Sequence, residues 1–521
     1  MTKRHSYIFI LSSLLILLVC QLILKQIAAQ ETSKGVAGTP EKSTIRDTGK
    51  EFPLEKLSVT HHTIKLNGKI LNYTATAGYM PIKDESGKLK ANIFFVAYVK
   101  DEPEENSKRP ITFAFNGGPG AASIFLHLGA LGPKRILLTE KGEALPPPYQ
   151  LVDNTYTWLD CTDLVFIDPV GTGYSLPAAG EDPKQFWGVK EDIQSIGAFI
   201  QLYLTKNGRW LSPKFIVGES YGTTRAAGLS TYLQNSLSIT LNGILLISEA
   251  LNFQAIVFTA GNDLPYLLFL PSYTAAAWYH KKLSSDLQED LRKALIEVEQ
   301  FTLNDYLLAL AQGDVLSDAE RTRIIERLER YTGLSKDRIK TCNLRINRDD
   351  FARELLRVED RRIGILDSRI TGDYAPHDFI EDPSLFAVTG SLVATWNDYV
   401  RKGLKFETDI PYEILSMKAN RSWNWSSGTG GLGYVNVSEP LRQAMSENKY
   451  LKVFIGSGYF DLDTPYFSAK YAVDHLGLDP SLRNNVTLAY YDAGHQMYTH
   501  LPSLKKLKAD VAEFFNKALP N

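Results

Sequence analysis

The sequence is poor in cysteine, with three in 521 residues. Cys20 falls inside an apolar run near the N-terminus, which leaves Cys161 and Cys342 for the body of the chain. Those two could pair, but a pair is not the disulfide framework that holds small secreted scaffolds together. An excess of charge is missing too. With 57 basic against 59 acidic side chains and a net charge of −2, the chain lacks the cationic surface that nucleic-acid binding demands. No H-E-x-x-H or comparable ligand spacing proposes a metal site, internal repeats are absent, and no motif calls for a cofactor. What is present is an ordinary globular balance, 44% hydrophobic and 22% charged, in a chain long enough to bury a large core.

A long apolar run occurs at the start. Lys3, Arg4 and His5 precede 18 apolar-rich residues, 7–24, and the small pair Ala28-Ala29 follows. This is the pattern of an export signal over residues 1–29, cleaved after Ala29. A run of that length is also at the lower limit for a membrane-spanning anchor, so membrane attachment is expected only if the segment is retained. The body is expected outside the cytoplasm, periplasmic or extracellular. Cys20 makes a poor lipid acceptor, because Val19 stands where a small residue is needed. Residues 30–50, rich in Ser, Thr, Gly, Lys and Glu, read as a flexible linker.

Residues 58–66 and 69–77 flank Asn67-Gly68, a hairpin signal, and 93–99 adds another strand. Short apolar runs at 111–115, 164–167, 214–218 and 244–248 then alternate with helical patterns, as in a parallel sheet covered on both faces. From about 255 to 383 the character changes to charged residues with Leu and Ile at helical spacing, read as a helical insertion. Strand patterns resume at 451–456 and 486–491, and an amphipathic helix over 502–519 closes the chain. The insertion therefore divides one α/β core into a first part, 51–254, and a second, 384–521.

Gly218-Glu219-Ser220-Tyr221-Gly222 fits G-x-S-x-G, with a strand leading in and a helix leading out. This is the nucleophile elbow of the α/β-hydrolase fold, which needs tiny residues two before and two after the serine. Ser220 is the expected nucleophile. Attack on a carbonyl creates an oxyanion that needs two preorganised N–H donors. Tyr221 supplies one by position, and Gly118 is expected to supply the other from Asn116-Gly117-Gly118-Pro119-Gly120, directly after the strand 111–115. The base must come late in this fold. Of nine histidines, His495 sits in a glycine-flanked loop after a late strand. Asp461 and Asp463 compete for the acid. Asp463 or Thr464, just before Pro465 and a helical stretch, is well placed as an N-cap, which leaves Asp461 to orient the imidazole.

These segments, together with Asp168-Pro-Val-Gly-Thr-Gly-Tyr-Ser175 and Gly458-Tyr-Phe-Asp461, resemble the serine carboxypeptidase family over roughly residues 90–250 and 385–515. The resemblance implies a peptidase with an acyl-enzyme intermediate and no cofactor, acting on peptides with a free C-terminus. It implies that Asn116, Gly117 and Glu219 bind that carboxylate, and it points to Asp461 as the acid. A Glu facing a carboxylate must share a proton with it, so acidic pH should favour the reaction. Two positions depart from the family: a second expected Glu falls on Ala130, and an expected Trp falls on Ala114. An esterase or acyltransferase on the same triad is the alternative, with a catalytically silent binding protein after it. Asn72, Asn420, Asn424, Asn436 and Asn485 head N-x-S/T triplets.

Overall fold

Asn67 and Gly68 both adopt positive φ, 49° and 80°, which is the geometry of a two-residue type I′ turn. They join β1 (Leu57–Leu66) to β2 (Lys69–Lys83), and β3 (Leu89–Lys100) pairs antiparallel with β2. The structure, a computed structural model, describes residues 56–101, 108–374, 382–429 and 433–519. The expected signal segment and linker lie outside them.

Six further strands continue the sheet: β4 (Ile111–Phe115), β5 (Asp163–Ile167), β6 (Lys214–Ser220), β7 (Gly243–Glu249), β8 (Lys452–Gly458) and β9 (Val486–Tyr491). Their order is β1-β2-β3-β5-β4-β6-β7-β8-β9, and the short strand Leu176–Pro177 pairs with β3. From β5 to β9 every pairing is parallel. The strands β4 and β5 are buried throughout, which is why they read as short, mostly apolar runs rather than as alternating ones. From β4 the chain moves outward to β5, and from β6 it moves the opposite way to β7. The switch point lies between β4 and β6, and a sheet of this kind binds ligand beyond the strand ends there.

Each face carries its own core. One side sets Val217, Leu245 and Phe454 against Trp396 of the helix Pro383–Lys402 and Phe515 of the helix Leu501–Ala518. The other sets Phe113, Ile216 and Leu246 against the helices Val189–Lys206, Tyr221–Leu237 and Ser438–Glu447. The stretch read as an insertion contains the helices Leu264–Tyr279, Leu291–Phe301 and Asp318–Thr332, then a small antiparallel pair, Arg361–Ile363 with Thr371–Asp373. Its apolar cluster runs on into Phe460, Leu462 and Phe467, the segment after β8. Cys161 and Cys342 are both free thiols. Among the described residues no helix is long and apolar enough to cross a membrane, and no group of three or more His, Cys, Asp or Glu could hold a metal ion.

Candidate active site

Ser220 ends β6 and immediately precedes the helix Tyr221–Leu237, with φ 58° and ψ −129°. A non-glycine residue reaches that region only when its surroundings force it. The forcing is visible in the neighbours. A Cβ on Gly218 would collide with the Gly222 carbonyl and stand 2.9 Å from the Thr223 nitrogen, and one on Gly222 would stand 2.9 Å from the Phe115 oxygen. Thr223 Oγ1 donates to the Ser220 carbonyl at 2.7 Å and accepts from the Ala250 N–H at 2.8 Å, tying the elbow to the end of β7.

The loop after β4 packs straight onto this elbow. A Cβ on Gly117 would collide with the backbone nitrogens of Tyr221 and Gly222 and stand 2.7 Å from the Glu219 carbonyl. The backbone of Gly117 therefore lies against the first turn of the helix, whose N-terminus is the positive end of its dipole. Asn116 is pinned at both ends: its Oδ1 accepts from the Leu126 N–H at 3.0 Å and its carbonyl from Arg225 Nη1 at 2.6 Å.

His495 Nδ1 meets Asp461 Oδ2 at 2.8 Å, both buried. Asp461 Oδ1 accepts from the N–H groups of Asp463 (2.8 Å) and Thr464 (3.0 Å), and the Thr464 hydroxyl reaches Asp461 Oδ2 at 2.8 Å. The capping expectation is thereby corrected. Pro465 is the N-cap of the helix Tyr466–Asp474 and no side chain caps it. The free N–H groups of the turn point back to Asp461, as in an Asx turn. Asp463 pairs instead with Arg348 of the insertion.

Asn116, Gly117, Glu219, Ser220 and His495 line one cavity of about 380 Å³, with Arg348 and Asp463 at its wall. A larger cavity of about 860 Å³ lies against the β1–β2 hairpin, lined by His61, Lys69 and Lys100 among others, far from these groups in the sheet order. Size does not select the site; the convergence of a strained serine, a buried histidine and the carboxylate bonded to it does.

Burial pushes the Glu219 carboxyl up to about 7, against the pull of His495, the Tyr498 hydroxyl and Asn116. Burial works against charge on His495, but the Asp461 carboxylate, joined by Asp463 and Glu219, outweighs it and holds the imidazole above its ordinary range. Tyr498 was missed in the sequence. Its hydroxyl donates to Glu219 Oε2 at 2.5 Å, and its ring fills the space a Gly129 side chain would need. Three residues past His495, it carries no motif that would single it out. Ser248, which donates to the His495 carbonyl at 2.6 Å, is equally silent in sequence.

Other motif positions have structural duties. His127 is stacked on Phe166 and bonded to the Tyr98 hydroxyl at 2.7 Å, and burial drops it to about 3. It is a neutral core residue. Ala130 is buried in the turn His127–Leu131 and Ala114 in β4. Asp168 accepts from the Ser123 N–H at 2.9 Å, while Ser175 Oγ donates to the Asp168 carbonyl at 2.6 Å. Their motif is a buried brace behind the site.

The family described as serine carboxypeptidase matches residues 65–508. The chain is similar to the serine-type carboxypeptidase F of Aspergillus niger, 32% identical over 152 residues, 28% of this chain and 24% of that protein. A serine carboxypeptidase of Caenorhabditis elegans is 24% identical over 268 residues, 47% of this chain and 48% of its own length. The matched stretches thus span between 24% and 48% of these two relatives. Among solved structures, a prohormone-processing carboxypeptidase of Saccharomyces cerevisiae superposes with a TM-score of 0.52 at 16% identity, over 85% of this chain and 91% of that one. That likeness is one of fold, and the fold is the α/β hydrolase.

Proposed function

Because the chain belongs to the serine carboxypeptidase family, we propose that it hydrolyses peptides from their free C-terminus through an acyl-enzyme on Ser220. Ser220 Oγ attacks the last peptide carbonyl as its proton passes to His495 Nε2. The oxyanion accepts from the N–H groups of Gly118 and Tyr221. Collapse breaks the C–N bond, and the imidazolium returns the proton to the departing amine. Water, deprotonated by the same imidazole, then releases the shortened peptide and regenerates the serine. Asp461, with its other lone pairs occupied by the 463–464 turn, holds the Nδ1–H and stabilises the imidazolium.

One observation carries the exopeptidase assignment: a buried carboxyl, Glu219, opens on the same cavity as Ser220 beside Asn116. A carboxyl raised to about 7 is largely protonated in mild acid, so it can share a proton with a peptide carboxylate there. The Gly117 N–H and Asn116 complete the anion site. Above pH 7 two carboxylates would face each other and binding should fail. Ala130 favours a second reading, an esterase or acyltransferase, because a single acid leaves the carboxylate site less complete. The segment 255–383 serves in this reading as a cap over the cavity. Export rests on residues 1–29 alone.

The test is a matched pair of blocked dipeptides, one with a free C-terminus and one amidated, followed by mass spectrometry from pH 4 to 8. The free acid should be cleaved best in acid and lose rate as pH rises through 7, while Glu219→Gln should flatten that dependence. Equal cleavage of both across the range, or turnover of small esters alone, would replace the carboxypeptidase reading with the esterase one.

A further inference from the structure

The acid and the base stand on two loops, 458–464 and 492–495, and a third segment crosses both. Residues 364–369, between the strands Arg361–Ile363 and Thr371–Asp373, form a strap. The Ile365 carbonyl accepts from the Leu462 N–H at 2.9 Å and the Leu366 carbonyl from the His495 N–H at 2.6 Å. Ser368 gives both its N–H and its hydroxyl to the Phe460 carbonyl, each at 3.0 Å. The approach is close enough that a Cβ on Gly494 would collide with the Leu366 oxygen and stand 2.6 Å from Asp367 Cα. On its far side the strap is fixed by Asp382, whose carboxylate accepts from the N–H groups of Ile365 (3.0 Å) and Leu366 (2.9 Å) while capping the helix Pro383–Lys402.

Two side chains of the strap reach the base loop. Asp367 Oδ2 accepts from the Gly494 N–H at 3.2 Å, and Arg369 Nη1 donates to the Asp492 carbonyl at 2.8 Å. They grip each other as a two-point ion pair, Nη2 to Oδ2 at 2.6 Å and Nε to Oδ1 at 2.9 Å, with side chains only 8% and 10% exposed. Asp461 orients the imidazole ring, but the ring can be no better placed than the backbone that carries it. That backbone is held from the insertion, more than a hundred residues earlier in the chain.

We propose that Asp367 and Arg369 are positioning residues for His495, their ion pair setting residues 492–495 and thereby the reach of the imidazole to Ser220. The inference rests on the reading of Ser220 and His495 as nucleophile and base. An ion pair of this burial contributes little net stability compared with neutral groups of the same shape. Its effect falls on geometry, where a displacement of about 1 Å can cost about 100-fold in rate.

The experiment uses the full chain and the double variant Asp367→Asn with Arg369→Gln, which removes both charges together and leaves no unpaired buried charge. Active molecules are counted by fluorophosphonate labelling at Ser220, so misfolded material drops out of the measurement. The kcat per labelled site should fall by about 10- to 100-fold with KM unchanged, and Arg369→Lys alone should retain part of the rate. In an Asp461→Asn background the same double substitution should add little, because both act through one imidazole. An unchanged kcat per labelled site, or a full additive loss in the Asp461→Asn background, would overturn the proposal. A native chain that does not label at Ser220 overturns the reading beneath it, and that result appears before any substitution is made.

Discussion

The two halves of the site are built by different means. On the nucleophile side, the loops 116–120 and 218–222 meet with so little room that Gly117, Gly218 and Gly222 admit no side chain, and backbone sterics within the core sheet set the geometry. On the base side, the loops 458–464 and 492–495 hang beyond β8 and β9 and are held by hydrogen bonds to side chains and to the strap from the insertion. A site made by sterics is local and all-or-none. One made by hydrogen bonds to distant segments is graded, and can be loosened one contact at a time.

The largest effect should come where the comparison is sharpest. Ser220→Ala removes only a hydroxyl and should leave the fold intact, while abolishing fluorophosphonate labelling and cutting kcat by about 10⁶-fold, as in serine hydrolases generally. Residual turnover near the native rate would remove the mechanism. On the base side, Asp461→Asn should cost about 10⁴-fold by leaving the wrong imidazole tautomer. Asp463→Asn should cost far less, since its partner Arg348 and the carboxylate itself are each about a third exposed. Removing the Asp463 charge also removes one of the influences that raise His495, so the acid limb of kcat/KM should move to lower pH. If Asp463→Asn instead matched the loss at Asp461, the acid would have been misassigned.

The difference between the halves also decides what could be read from sequence. Gly218 and Gly222 are recognisable because steric demand leaves one residue type at a fixed spacing, and the same holds for Asn67-Gly68. The parallel strands showed as apolar runs because both faces are buried. Hydrogen-bonded placement leaves no such mark. Asp367 and Arg369 look like two more charges in a charged insertion, and Tyr498 like any late aromatic. Asp461 lies against the imidazole for a reason other than the capping expected from sequence, because Pro465 occupies the cap and the turn N–H groups close on Asp461 itself.

Gly117→Ala tests the steric half directly. The new methyl group would have to part the 116–120 loop from the helix Tyr221–Leu237, which in the proposed mechanism draws the Gly118 N–H away from the oxyanion. A loss of about 10²- to 10³-fold in kcat is expected, the scale of one lost oxyanion donor. A variant that keeps native kcat would show that the loop yields to the methyl group and that the nucleophile side is as graded as the base side.

The smallest change is the most specific to the graded half. Tyr498 donates to Glu219 Oε2 and favours the ionised carboxylate, in opposition to the burial that raises it. Tyr498→Phe keeps the ring in the space left by Gly129 and deletes only that hydroxyl. The Glu219 pKa should then rise above its native value near 7, because its charged form has lost a donor while its burial is unchanged. A carboxyl that stays protonated to higher pH can share a proton with a peptide carboxylate to higher pH. The alkaline fall in kcat/KM for free-acid peptides should therefore shift upward. His495 and Asp461 also face Glu219, and His495 feels the Glu219 charge, so amidated peptides report whatever part of the shift passes through the base, and the free-acid limb should move further than theirs. If the limb stays in place for the free acid, or if both substrates shift equally, Glu219 does not hold the substrate carboxylate, and the anion site must be sought among Asn116 and Gly117 alone.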